Sequence, residues 1–510
     1  MNKWKFIDET LKERLKKNSI TNVIYFLLTL PIMFVLTPVI IKTAGAEEYG
    51  IWVLAGTILV FIELIANFQA SSALSVMVPR VDPKKEPEKI NIIINTLLGF
   101  YAVSAVLVCA LYYFADDLIL RAFFKTSPEK AGLAARVMAL SLYPFMANFL
   151  IMGIGYLAGA FNIFYMTNIV HIIISYLRAA LMLWALKAGL GITGIVYAQM
   201  GTLIIESLII IFICKAVFPP LRISFKMFSW DILSYMLKLS AKLFTAKAAN
   251  VLSSNFDRLA LGIFVNPAAA GIYQLGAGVS KNISNLPEML GFASLLPAAS
   301  ELKRNNKEDA MRVMAERVTK YTALAGIFLA SSVVSFSRDF IKLWLGHGYE
   351  DVYLIMSVLA CAYAVLILAY PMQNILNGTG HEKKAMSAGV ISSAVTVVLT
   401  SLFTWKYGVK GAAVAAFLSS SATLIVFFAY YVSLTGHTIN IFKYSYKPLI
   451  IGGVLFIPMH YISVSSSWIV FFAAAGIYTL LFIAIAQGIF RVLDKYEMDI
   501  ITKRFKTWDK

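Results

Sequence analysis

Charge is scarce in this sequence. Of its 510 residues only 14% are Asp, Glu, Lys or Arg, and the acids are the rarer sign, 28 against 45 bases. Cysteine is rarer still. Cys109, Cys214 and Cys361 all fall inside apolar segments, which argues against a disulfide framework or thiolate metal site and leaves them as packed thiols. No Walker loop, zinc-ligand spacing, nucleophile elbow or dinucleotide fingerprint occurs. The acids are too scattered to form a catalytic pair, so the chain reads as a non-enzyme without a cofactor. The strand alternation of a membrane β-barrel is missing as well.

Hydrophobic residues make up 59% of the chain and the mean hydropathy is +0.74. No soluble domain of this size has that balance. The apolar runs are long enough to cross a hydrocarbon core of about 30 Å as helices. The expected fold is therefore an all-α polytopic membrane protein with about fourteen transmembrane helices. The spans fall near 18–41, 49–79, 91–113, 134–157, 166–186, 192–214, 236–264, 268–297, 318–336, 352–376, 386–405, 408–434, 447–462 and 467–490. No cleavable signal peptide is read at the start. Trp4, Ile7, Leu11 and Leu15 instead predict a short amphipathic helix on the cytoplasmic face over 1–17.

With those spans, the loops on the N-terminal side hold 28 Lys and Arg, the opposite loops 10, and seven lie within the membrane. The bias places both termini in the cytoplasm and requires an even number of spans. It also accounts for most of the net charge of +17 without nucleic acid. The longest outer loop, around 115–132, is too short for a catalytic domain.

Three short matches recur in order. Tyr49-Gly50-Ile51 answers to Gly271-Ile272-Tyr273, Leu157-Ala158-Gly159 to Leu376-Asn377-Gly378, and Lys187-Ala188-Gly189 to Lys406-Tyr407-Gly408, at offsets of 219 to 221 residues. They predict a duplicated six-helix bundle. The domains are then a cytoplasmic N-terminus (1–17), an N-lobe (18–214), a cytoplasmic linker (215–235), a C-lobe (236–434), two further helices (435–490) and a cytoplasmic tail (491–510). The lobes are pseudo-symmetric around a central cleft.

Seven cations lie inside or against apolar segments: Arg178, Lys238, Lys242, Lys247, Arg258, Lys281 and Lys320. Each costs roughly 2.5–3.5 kcal/mol at mid-membrane depth if left unsatisfied. The acids at such depth are Glu63, Glu206, Asp257 and Glu288. A cationic interior suits an anionic cargo. On span seven, Lys247, Asn250, Ser254, Asp257 and Arg258 share an arc of about 100°. Lys247 is too deep to reach either surface and calls for a wet cavity, whereas Lys238 and Lys242 can snorkel to headgroups. Arg258 has a structural alternative, an ion pair with Asp257 or another span. Span eight aligns Gln274, Lys281, Asn285 and Glu288, with a Lys281–Glu288 pairing as the structural alternative. Span five aligns Asn168, His171, Ser175 and Arg178; its histidine reads first as a helix–helix hydrogen bonder and second as a proton carrier. Span one aligns Asn18, Asn22, Tyr25 and Thr29, span two Glu63, Asn67 and Ser71, and span six Gln199, Thr202 and Glu206. These stripes are either interhelical glue or the lining of a cleft.

Thr43–Trp52, Ser254–Gly262, Pro267–Tyr273 and Ile375–Gly380 together resemble polysaccharide exporters of the Wzx type, within the multidrug/oligosaccharidyl-lipid/polysaccharide superfamily. The resemblance covers nearly the whole chain. It implies two six-helix lobes that alternate between inward- and outward-open states in a bacterial cytoplasmic (inner) membrane. Its implied cargo is undecaprenyl-diphosphate bearing an oligosaccharide. The implied partners are that anionic lipid-linked glycan, membrane lipids and the polysaccharide polymerase machinery, with no nucleic acid. By motif the resemblance carries over Asp257 and Arg258 only; Lys247, Lys281 and Arg178 rest on helical phase. Glu63, Glu206 or Asp257 is expected to couple proton or sodium entry. A multidrug extrusion antiporter of the same superfamily is the alternative, and the surplus of bases speaks against it.

Overall fold

In the computed structural model the described residues are 11–461, 467–492, 494 and 497. Trp4 and Ile7, the start of the expected surface helix, lie outside them. The described residues form helices, short 3₁₀ turns and connections, and no strand. Apolar runs in lipid must satisfy their own backbone groups, and the helix does so within one segment.

The helices run α1 (Leu11–Asn67), α2 (Ala70–Met77), α3 (Pro87–Phe123), α4 (Pro128–Ala160), α5 (Phe164–Lys187), α6 (Gly191–Val217), α7 (Trp230–Phe264) and α8 (Pro267–Ser280). The short α9 (Leu286–Met289) and α10 (Leu295–Arg304) follow. Then come α11 (Glu308–Trp344), α12 (Glu350–Leu366), α13 (Tyr370–Gly378), α14 (Glu382–Thr435), α15 (Ile441–Tyr461) and α16 (Trp468–Gly488). Among the described residues eight helical stretches are each long and apolar enough to cross a membrane, and α4, bent by 53° after Phe149, makes a ninth when its two parts are taken as one span. α1 and α14 hold 57 and 54 residues, and either would extend about 80 Å if straight. Gly45 (φ 78°) and Gly408 (φ 59°) interrupt them in backbone conformations that side chains resist, so each is two helices joined at a kink. Gly189, matched to Gly408 in the repeat, also has a positive φ of 76°. α7 carries too many charges to pass as apolar by composition, and α8 stops after 14 residues. The molecule is a multi-pass, all-helical membrane protein.

Two expected spans prove discontinuous. The second breaks at Phe68 and Gln69, whose φ values of 46° and 57° put two consecutive non-glycine residues in the left-handed region. Such residues cost of order 1–2 kcal/mol each. Side chains answer the freed backbone groups: Asn67 Oδ1 accepts from the Ser71 N–H and hydroxyl, and the Ser240 hydroxyl donates to the Gln69 carbonyl. Phe68 stacks on Phe244. The eighth span ends at Ser280 and continues as a 3₁₀ turn over Lys281–Asn285. There Asn282 donates back to Gly278 and Val279, Ser284 to Lys281, and Pro287 has no N–H to continue the ladder. Gln274, Lys281, Asn285 and Glu288 therefore do not form the single helical stripe that a continuous span predicts.

The chain divides into two compact units, residues 1–274 with 400–409, and residues 275–399 with 410–510. The first is built around Leu74, Ile94, Leu97, Tyr101, Phe149 and Phe218. Here α3 clasps the segment before α7. Asn91 and Asn95 each donate to and accept from its backbone at Pro220, Arg222 and Ser224, and Thr96 Oγ1 accepts from the Ser229 N–H. In the second unit α15 and α16 sit against α11. Tyr478 donates to Ser331 at 2.9 Å beside Phe336, Phe471 and Phe482.

Candidate functional site

Three polar clusters occupy the first unit. On α7, the accessible face of the middle of the helix is polar: Lys247, Asn250 and Ser253 are exposed, and Ser254 and Asp257 half-exposed. A face in contact with lipid does not carry an ammonium, an amide and a carboxylate. Lys247 has Glu63 of α1 within its electrostatic reach. Arg258, by contrast, is buried, 6% exposed. Its Nη1 donates to Asn255 Oδ1 at 3.0 Å and to the Ser254 carbonyl, while Asp257 Oδ1 takes the backbone N–H of Arg258. Of the five residues expected on one arc, Lys247, Asn250, Ser254 and Asp257 thus share an accessible face and Arg258 is packed beneath it. Lys238 is exposed, and the side chain of Lys242 lies outside the description.

The second cluster surrounds Asn67. Its Oδ1 accepts from Tyr101 at 3.0 Å, and its Nδ2 donates to Tyr156 at 3.3 Å. Glu63, one turn earlier on α1, lies in the field of both tyrosines. Asn67 is buried, so here it is glue between α1, α3 and α4 rather than an exposed ligand.

The third cluster joins α5 to α6. At 100° per residue, Ile169, Ile173, Tyr176, Ala180 and Trp184 make the exposed, largely apolar face of α5, and His171, Ser175 and Arg178 lie within about 40° of its opposite side. Glu206 of α6 bridges two of them. One carboxylate oxygen meets His171 Nδ1 and the other accepts from Arg178 Nη2 at 2.8 Å. Arg178 Nε donates to Thr202 Oγ1 at 2.9 Å, and Gln199 accepts from Trp52 Nε1. Tyr25 faces His171 with ring centroids 6.1 Å apart, and Asn22 accepts from Asn168 at 2.6 Å. The stripes on spans five and six were both visible in the sequence, but periodicity on one helix does not name its partner on another.

In the second unit Lys281 opens the 3₁₀ turn, half-buried, next to Ser280, whose hydroxyl donates to the Met356 carbonyl. Asn285 and Glu288 are exposed. Gln274, in the first unit, has its Oε1 buried without a hydrogen-bond partner among the described residues. Lys320 makes an ion pair at 2.5 Å with Glu497 of the tail, which also accepts from Tyr321. Sequence spacing carries no signal for that pairing across 177 residues. Among the described residues no group of acids, histidines and cysteines is placed to hold a metal.

The chain is thus a many-span helical membrane protein that keeps ammonium, amide and carboxylate groups on accessible helix faces. The chain belongs to the polysaccharide biosynthesis protein family, whose profile matches residues 15–303. No curated protein matches it. Its fold is similar to that of the lipid II flippase MurJ in an inward closed conformation (TM-score 0.73, 16% identity, 92% of this chain and 98% of that one). It is also similar to an inward-facing multidrug resistance MATE family transporter of the MOP superfamily (TM-score 0.65, 13% identity, 81% and 96%). A MOP superfamily transporter from Pyrococcus furiosus aligns over 86% of this chain and 99% of its own (TM-score 0.51, 13% identity).

Proposed function

We propose that the chain is a flippase that carries an undecaprenyl-diphosphate-linked oligosaccharide from the cytoplasmic to the outer leaflet of a bacterial cytoplasmic membrane, for cell-surface polysaccharide assembly. Membership of a polysaccharide biosynthesis family and a transporter fold support the class of cargo and the kind of movement. The observation that carries the reading is the exposed polar face of α7 with Lys247 at its middle.

The lipid tail never has to leave hydrocarbon, so the headgroup sets the barrier. A diphosphate stripped of water without compensation is prohibitively costly. Lys247 and Lys281 replace part of its hydration shell along the route, with Arg178 and Arg258 contributing charge from fixed positions. Asn250 and Ser254 meet sugar hydroxyls. Alternating access then exposes the headgroup to the outer side, with both termini remaining cytoplasmic. Proton or sodium entry at Glu63, Glu206 or Asp257 resets the cycle, and the polymerase receives the cargo.

The test is export in cells. Replacing Lys247 with Ala leaves the lipid-linked glycan on the cytoplasmic face at normal protein abundance, and Lys247→Arg preserves export. Wild-type export by Lys247→Ala removes the cationic-face reading. Resistance to cationic drugs on overproduction, with glycan export unchanged on deletion, would instead establish the multidrug alternative.

A further inference from the structure

The charge of Arg178 is already answered by Glu206, which leaves its part in anion binding unexplained. The third member of the cluster resolves this. Glu206 is the buried element, with a side chain 10% exposed, while Arg178 and His171 are 27% and 39% exposed. Each carboxylate oxygen serves one of them. A carboxylate can only accept, so Nδ1 of the neutral imidazole carries the hydrogen. Nε2 then has no partner among the described residues and is free to take a proton without disturbing the bond to Glu206. On Arg178, Nε and Nη2 are engaged and Nη1 has no partner among the described residues.

We propose that His171 carries the proton that sets the charge of the Arg178 site, so that an anionic phosphate binds there together with one proton. The inference rests on the reading of Arg178 as a phosphate contact. With His171 neutral, Arg178 and Glu206 cancel and the cluster has no net charge. With Nε2 protonated, the cluster carries one positive charge, Glu206 is shared between two cations, and Nη1 of Arg178 is presented to an anion. The proton comes from water on binding and returns to it on release, so no other group changes charge. The ionisable groups facing the imidazole are Glu206 from α6, Arg178 from α5 itself and Tyr25 from α1. Among the described residues α4 adds no hydrogen bond or ion pair to His171, Arg178 or Glu206. Linkage makes the effect reciprocal: a proton on His171 favours the anion, and anion binding draws a proton in.

The experiment is calorimetry of inorganic pyrophosphate binding to the purified full chain at pH 6 and pH 8, in buffers of different ionisation heat. His171→Gln serves as the reference that removes the titration of the ligand itself. The wild type is expected to take up about one proton more than His171→Gln and to lose about tenfold more affinity between the two pH values. Glu206→Gln, which leaves Arg178 uncancelled, is expected to bind at pH 8 as tightly as the wild type binds at pH 6. If either variant fails to fold, the other carries the comparison. Equal proton uptake and equal pH dependence in wild type and His171→Gln, with binding intact, overturn this inference alone. A wild-type chain that binds no pyrophosphate at either pH removes the phosphate reading as well.

Discussion

Gly50 and Gly271, matched positions in the two halves of the sequence repeat, lie against each other. A Cβ on Gly271 would fall 3.1 Å from the Gly50 Cα and 2.9 Å from the Ala46 carbonyl oxygen. One on Gly50 would sit 1.8 Å from the Pro267 carbonyl oxygen.

Both partners at that contact are backbone, which cannot step aside as a flexible side chain can. Gly50→Ala is expected to lower the melting temperature of the detergent-solubilised protein by several degrees, consistent with overpacking of about 1–3 kcal/mol. Gly271→Ala should do so to a lesser degree. Gly56→Ala, where no neighbouring atom lies within 4 Å, should leave it near the wild-type value. Equal melting temperatures for all three would disprove the close approach.

Asn67 holds the break in the second span together. Replacing it with Ala strips a hydrogen-bond partner from Tyr101, Tyr156 and the Ser71 N–H at once. A loss of stability of about 2–4 kcal/mol is expected, since each buried group left unsatisfied costs about 1–3 kcal/mol and the losses overlap. Thermal unfolding monitored by tryptophan fluorescence measures it. An unchanged midpoint would mean that the left-handed pair Phe68–Gln69 holds itself.

In the proposed function Lys247 and Lys281 serve the cargo from separate parts of the chain. Lys281→Ala is expected to reduce export at least tenfold with abundance unchanged, and Lys281→Arg to restore most of it. Quantifying surface polysaccharide against membrane-inserted protein gives the answer. Full export by both alanine variants would leave the cargo without a cationic foothold.

The tail contact has a predictable pH response. Burial pushes the Glu497 carboxyl up, but hydrogen bonds from Lys320, Tyr321 and the Asp494 N–H outweigh it and hold the group below its ordinary value of 4.5. A carboxylate whose folded value is depressed contributes stability that is complete above the unfolded value and lost as pH falls through the folded one. Tail docking should therefore be indifferent to pH between 6 and 8 and weaken below about 4.5. Glu497→Gln should weaken it at every pH. Limited proteolysis beyond Gly488 reports both, and a variant as resistant as the wild type would show that the ion pair does not hold the tail.

The helices were legible because the signal that defines them, apolar length, is a property of single segments. Gly45 and Gly408 were readable in kind, since only glycine enters those conformations easily. The break at Phe68–Gln69 was not, because neither residue type favours it; bonds from Tyr101, Tyr156 and Ser240, distant in sequence, make it affordable. At the site, the shared face of Lys247 and Asp257 followed from helical phase. The burial of Arg258 did not, because phase assigns a direction but not what fills it. The joining of His171, Arg178 and Glu206 required knowing that α5 and α6 are neighbours.

The clasp of Asn91, Asn95 and Thr96 on the stretch before α7 bears on how that helix would move in the proposed cycle. A tether stitched to a neighbouring helix at Pro220, Arg222, Ser224 and Ser229 cannot absorb movement as slack. Any tilt of α7 must then swing about its own first turn, like a door on a pin. Displacement grows with distance from that fulcrum, so Lys247, midway along, sweeps a wider arc than Asp231 does.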